Sequence, residues 1–158
     1  LSGYSTANYD SPQIANLETG RTAVSVSLGD THTCAILDDG SLKCWGDNSI
    51  GQLGIGTTTD HYTPQTVDLG TGRTAVSVSA GEYHTCAILD DGSLKCWGYN
   101  DYGQLGIGSN TNHNTPQTVD LGVGRTAVSV SSGMYHTCAI LDDDSLNCWG
   151  RNSDGQLR

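Results

Sequence analysis

The chain repeats itself every 52 residues. Cys34, Cys86 and Cys138 mark the period, as do Cys44, Cys96 and Cys148, and Arg21, Arg73 and Arg125. The segment GRTAVSVSLGDTHTCAILDDGSLKCWG, from Gly20 to Gly46, returns twice with few changes. A fixed period of this length means one supersecondary module stacked on copies of itself, so the fold is modular before any local motif is weighed. The 158 residues read as a single repeat array with units at about 1–52, 53–104 and 105–156, the first and last incomplete or atypical. Near-identity of the units also argues against a catalytic pocket, because a unique site needs one position that differs from its copies.

Each unit predicts four short strands. Thr22–Leu28 alternates Val24, Val26 and Leu28 with Ser25 and Ser27, the period of a half-buried strand. Thr33–Leu37 and Ser41–Gly46 flank a tight turn at Asp38-Asp39-Gly40. Thr63–Leu69 is the fourth extended segment, and Pro64 in it cannot donate to a ladder, which calls for a strand start or an edge. Ser11–Leu17 aligns with Thr63–Leu69 and Leu1 with Leu53. In the third unit Asp144 stands where Gly40 and Gly92 stand, and Asp tolerates the left-handed region well enough for the turn to survive. No window carries apolar residues at helical spacing, so the fold class is all-β.

Each unit holds one Cys-x9-Cys pair around the turn. A three-residue loop at residues 38–40 sets Cys34 opposite Cys44, close enough for a disulfide, and likewise Cys86 opposite Cys96 and Cys138 opposite Cys148. Free thiols and a metal site are the competing readings. The latter has only His32, Cys34 and Cys44 to offer, where a structural zinc site takes four ligands with closer cysteine spacing. Disulfides imply an oxidising compartment, hence an extracellular or cell-surface protein.

The formal net charge is −10, with six cysteines and no Phe among the hydrophobic residues. An acidic surface disfavours nucleic acid and anionic membranes. No stretch is apolar enough to span a bilayer. The chain opens without a basic-then-apolar leader and starts and ends within a repeat, which reads as a mature or excised segment. Partners of suitable chemistry are cationic proteins, neutral glycans or other copies of the chain.

The string Gly-x-x-His…Trp-Gly-x-Asn-x-x-Gly-Gln-Leu-Gly resembles the repeat of the regulator of chromosome condensation family. It reads Gly29, His32, Trp45, Gly46, Asn48, Gly51, Gln52, Leu53 and Gly54 in the first unit, and recurs from Gly81 to Gly106 and from Gly133 to Leu157. The cysteine-bearing form looks like the secreted variety of this repeat. The resemblance implies β-propeller blades of four short antiparallel strands each, usually seven to a ring. Three blades are too few to close one, since propellers typically have four to eight. The family hosts nucleotide exchange, chromatin contact, enzyme inhibition and light sensing, and fold alone does not choose among them.

Repeated positions read as structural. His32, His84 and His136 suit buried hydrogen bonding between strands or blades, Trp45, Trp97 and Trp149 suit core packing, and the Asp pairs suit turns. Positions that vary between units point to binding, because loops on a constant scaffold carry function. Three runs vary: Leu28, Asp30 and Thr31 against Ala80, Glu82 and Tyr83; Asp47, Ser49 and Ile50 against Tyr99, Asp101 and Tyr102; and 57–62 against 109–114. The candidate binding residues are Tyr83, Tyr99, Tyr102, Tyr135, Asp47 and Ile50. No residue set suggests a catalytic centre, a metal or a cofactor. The expected function is non-enzymatic: an extracellular structural or adhesive repeat that associates with itself, head to tail into a fibre or a multi-chain ring. The alternative is a fragment of a seven-bladed propeller that binds a protein or glycan through its loops.

Overall fold

The computed structural model describes residues 7–158. Among them all regular structure is β, in three antiparallel meanders without a helix. The first sheet is β1 (Ala23–Leu28), β2 (His32–Leu37), β3 (Leu42–Gly46) and β4 (His61–Thr66), hydrogen-bonded in that order. The second repeats it with β5 (Ala75–Ala80), β6 (His84–Leu89), β7 (Leu94–Gly98) and β8 (His113–Thr118). The third has three strands, β9 (Ala127–Ser132), β10 (His136–Leu141) and β11 (Leu146–Gly150). The expectation of four strands per blade therefore holds for two blades. The counterpart of β8 in the third would fall after Arg158. The expected Leu1–Leu53 correspondence involves a residue outside those described.

The turns behave as their residues require. Gly40 and Gly92 take φ of 79° and 77°, and Asp144, at the same repeat position, takes 64°. The three-residue loop fixes the register: Cys34 faces Cys44 and Ile36 faces Leu42, with the same offsets in the other sheets. Disulfides join Cys34 to Cys44, Cys86 to Cys96 and Cys138 to Cys148. Arg21, Arg73 and Arg125 reach the paired carboxylates of these turns, at 3.0 Å to Asp39, 3.1 Å to Asp91 and 3.3 Å to Asp143. These pairs are well exposed and contribute at most about 1 kcal/mol each.

Two strand expectations need correction. The fourth strand starts earlier and ends earlier than Thr63–Leu69, because His61 pairs with Gly46. It is an edge strand, and its ladder shifts register between Cys44 and Gly46, opposite the stretch where Pro64 lacks a donor. The second correction concerns β1, whose Val24, Val26 and Leu28 are exposed. In β5 the equivalents Val78 and Ala80 are buried, although Val76 is not. Periodicity identifies the apolar face of a strand but not whether a neighbour covers it. Ser11–Leu17 illustrates the same point: it shares the β4 pattern yet forms no strand.

The core lies between blades rather than within them. Cys34, Ile36, Leu42, Cys44, Leu53, Val67 and Leu69 of the first blade and its outgoing loop pack on Ala75, Val78, Ala87, Leu89 and Trp97 of the second. The same positions of the second blade pack on Ala127, Ala139 and Leu141, with Val130 and Trp149 at the margin. At the inner edge, Ser27 Oγ accepts the Ala80 amide and Ser79 Oγ accepts the Ser132 amide, each at 2.9 Å. Ser27 and Ser79 of the alternating strands thus join blades instead of facing solvent.

Asp144 is the one non-glycine residue with positive φ among those described. Asp144→Gly is expected to stabilise the chain by about 1 kcal/mol, the usual left-handed penalty for a residue with Cβ. Urea unfolding of the two proteins under identical conditions checks this.

Candidate functional site

Two of the three repeated histidines, His32 and His84, form the junctions between blades. His32 Nε2 lies 2.8 Å from Thr85 Oγ1 of the next blade, and His84 Nε2 lies 2.9 Å from Thr137 Oγ1. Thr85 donates its single hydroxyl proton to the Gln52 carbonyl at 2.9 Å, and Thr137 donates to Gln104 at 2.8 Å. Each imidazole is therefore the donor at Nε2, which leaves Nδ1 unprotonated. Nδ1 of both residues is buried without a partner. The same carbonyls accept the indole protons of Trp97 at 3.0 Å and Trp149 at 2.9 Å. A histidine that donates to a threonine whose own proton is committed to a carbonyl is not placed to act as a base.

These junctions explain the Gly-Gln-Leu-Gly loop. The Asn48 amide donates to Thr57 O and Thr59 O, and its Oδ1 accepts the Leu53 amide, so the loop is pinned before it meets the next blade. A Cβ on Gly54 would come within 2.5 Å of the Trp97 indole nitrogen. The period reveals that this loop recurs, but not that it is the contact between blades.

Four tyrosines of the variable loops gather on one surface. Tyr99 sits at the centre, with ring centroids 6.3 Å from Tyr83, 6.2 Å from Tyr102 and 6.0 Å from Tyr135. Tyr102 and Tyr135 are 5.1 Å apart. The four candidate tyrosines, from two blades, thus form one aromatic face, mostly in edge-on contacts of the favourable kind. The Arg151 guanidinium lies 5.6 Å from the Tyr102 ring centroid and 5.7 Å from that of Tyr135. Sequence reasoning missed Arg151, although it stands at the repeat position of Asp47 and Tyr99 and so varies like the others.

Asp47 and Ile50 occupy the corresponding places in the first blade. Asp47 is used internally: it accepts the Ser49 amide at 3.0 Å, the Gln52 side-chain amide at 2.8 Å and the Thr31 hydroxyl at 3.3 Å. Ile50 lines a cavity of about 390 Å³ with Ser49, Thr58, Asn112, His113 and Asn114. Exchanging Asp47 for Tyr99 has a cost. Gln104 Nε2, the counterpart of Gln52 Nε2, is buried with no partner.

Carboxylates border the aromatic face. Glu82 raises the Tyr83 phenol above its usual pKa, first as a near hydrogen-bond partner and then as a charge, with Asp30 adding to the effect. Tyr99 is raised by desolvation and then by Asp101, which accepts its hydroxyl at 3.0 Å. No partner meets hydrogen-bond geometry at Glu82 Oε2, which is buried.

Two family models described as regulator of chromosome condensation (RCC1) repeat match the chain, one over residues 23–52, 75–104 and 127–156, the other over 39–88 and 91–140. Ultraviolet-B receptor UVR8 of Arabidopsis thaliana is 36% identical over 132 residues, which cover 84% of this chain and 30% of that protein. Human WBSCR16 superimposes with a TM-score of 0.77 at 22% identity, over 84% of this chain and 34% of that one. Yeast RCC1 (Prp20), in its crystal structure bound to Kap60, gives 0.72 at 23% identity, over 82% and 32%. The chain spans about a third of the length of each of these proteins. The structural likeness shows the propeller-blade fold.

Burial lowers the pKa of His32 to about 4, against the opposing charge of Asp47, and that of His84 to about 3, with His32 and His136 adding to the effect. Below the unfolded value of 6.5, the unfolded chain takes up protons that the folded chain refuses. These residues therefore stabilise fully above that value, and the contribution is lost as pH falls from 6.5 towards 4. Each steepens the stability curve by up to about 1.4 kcal/mol per pH unit in that window. Urea titrations across the window are expected to show falling midpoints for the parent chain and a flatter profile for His32→Gln.

Proposed function

The chain belongs to the regulator of chromosome condensation (RCC1) repeat family, and we propose that it is a non-enzymatic, extracellular protein-binding array whose contact surface is the tyrosine face. One observation carries this reading. Four tyrosines at positions that break the repeat converge in space, on loops held by a constant scaffold. Tyrosine is the side chain of choice for such a surface, since its rigid ring gives contact area at low entropic cost. The unpaired Gln104 amide supports the reading further. Leaving a buried donor unsatisfied costs about 1–3 kcal/mol, so Tyr99 is not explained by packing alone. Three disulfides indicate an oxidising, non-cytosolic environment, which supports an extracellular location. A structural relative, yeast RCC1, is seen bound to the protein Kap60.

A second reading rests on a different observation: the two end faces match the two internal junctions. Ile140 and Leu146 are 42% and 65% exposed, whereas Ile88 and Leu94, the same positions in the second blade, are 2% and 0%. At the other end Val26 is 62% exposed and Val78 is 9%. A further copy set head to tail would bury these faces as the internal junctions do, and a non-closing contact of this kind builds a filament. Further repeats of a longer chain, as in a seven-bladed ring, would cover them equally well.

Two experiments test these readings. In the first, the parent chain and its Tyr99→Asp variant are used as bait for extracellular proteins. The variant should gain about 1 kcal/mol of stability by satisfying Gln104 and lose the captured partner; retention of the same partners by both overturns the tyrosine-face reading. In the second, light scattering of the disulfide-intact chain at micromolar concentration should give multiples of 16.6 kDa. A compact monomer overturns self-association.

A further inference from the structure

The tyrosine face carries information about what it takes, because one of its subsites is already filled. Arg151 lies over Tyr102 and Tyr135 at distances suited to cation–π attraction. Its occupant is a guanidinium supplied by the chain itself. The adjacent part of the face, formed by Tyr83, Tyr99 and the near side of Tyr135, has no such occupant among the described residues. It is bordered instead by Asp30, Glu82 and Asp101.

The first blade shows that these features are particular to this surface. There Thr31 stands for Tyr83, Asp47 for Tyr99 and Ile50 for Tyr102, and the Asp47 carboxylate is consumed by Ser49, Gln52 and Thr31. At the tyrosine face Asp101 accepts the Tyr99 hydroxyl and Glu82 lies beside the Tyr83 phenol, and neither is drawn into a network like that of Asp47. Glu82 Oε2 is buried with no hydrogen-bond partner, and Glu82 lines a cavity of about 360 Å³ together with Asp30, Ala80, Gly133 and Met134. A buried carboxylate oxygen left unpaired is costly, and a cation arriving beside it would recover that cost. Aromatic rings with a carboxylate oxygen left unpaired at their edge are the complement of a flat cation. Arginine fits best, since its guanidinium stacks on rings while its fork of N–H groups meets carboxylates. The net charge of −10 favours the approach of such a partner.

We propose that the tyrosine face recognises an arginine side chain of a partner protein, stacked on Tyr83, Tyr99 and Tyr135 and paired with Glu82 and Asp30, beside the subsite that Arg151 fills. The proposal rests on the reading of this face as the contact surface and adds the chemical class of what it contacts.

Blocked oligo-arginine, oligo-lysine and oligo-glutamate peptides of equal length, and a neutral oligosaccharide, are titrated into the disulfide-intact chain at about 0.15 M salt, where long-range attraction is screened. Oligo-arginine should bind most tightly. Tyr99→Ala and Tyr135→Ala, which leave the net charge untouched, should each weaken it by about threefold to tenfold, and Tyr135→Phe should not. Arg151→Gln should tighten binding by opening the neighbouring subsite, more than Arg158→Gln, which makes the same change in charge. Circular dichroism of each variant separates loss of contact from loss of fold. Arginine and lysine peptides binding alike, with no effect of Tyr→Ala, would reduce the attraction to net charge and overturn the proposal. Preference for oligo-glutamate or the oligosaccharide, lost on Tyr→Ala, would overturn the cationic class and leave the contact surface standing. If no probe binds, the proposal fails, and the Tyr99→Asp capture experiment judges the surface independently.

Discussion

The backbone carbonyls of Gln52 and Gln104 hold the array together. Each accepts two protons from the following blade, one from a threonine hydroxyl and one from a tryptophan indole. Each sits in a loop pinned by Asn48 or Asn100 and flanked by glycines that let an indole approach the backbone. The histidine of the preceding blade completes the junction by donating to the same threonine. One residue type per position is therefore spent on joining modules, and this explains why the motif is longer than a four-stranded meander alone needs.

A module with so few large apolar residues cannot support itself. The apolar surface of each blade is buried on a neighbour, and within the blade a disulfide ties β2 to β3, β6 to β7 and β10 to β11. Each such staple closes a short loop and contributes on the order of 2–3 kcal/mol. The same two devices set the working conditions of the protein. Buried neutral histidines favour neutral over acidic pH, and the disulfides favour an oxidising environment.

Against this constancy, the differences between repeats stand out. At one position the units read Asp47, Tyr99 and Arg151; at another, Thr31, Tyr83 and Tyr135. In the first blade these residues close a local network, and at the second junction they build an aromatic face with a guanidinium on it. Comparison of repeats located the tyrosines. It did not locate Arg151, which lies in the third unit, beyond the contrast of the first unit with the second. Nor could it show that Gln104 loses its partner when Tyr99 replaces Asp47, since that follows from a contact within the loop.

Much of this fold is written in short-range chemistry. The period, the turn residues and the Cys-x9-Cys spacing determine the strands, the Cys34–Cys44 register and the left-handed Asp144, because each depends on residues within one hairpin. Where one sheet ends and the next begins is not local. The repeat can be cut anywhere along its 52 residues, and only strand pairing places the blades at 23–66, 75–118 and 127–150. Burial is decided at the same level. Val26 and Val78 share a sequence context and differ in exposure because a strand's apolar face is covered only where a neighbouring blade packs on it. The tyrosine face likewise is completed only where two blades meet, since Tyr135 and Arg151 of the third reach Tyr99 and Tyr102 of the second through the junction and not through the chain.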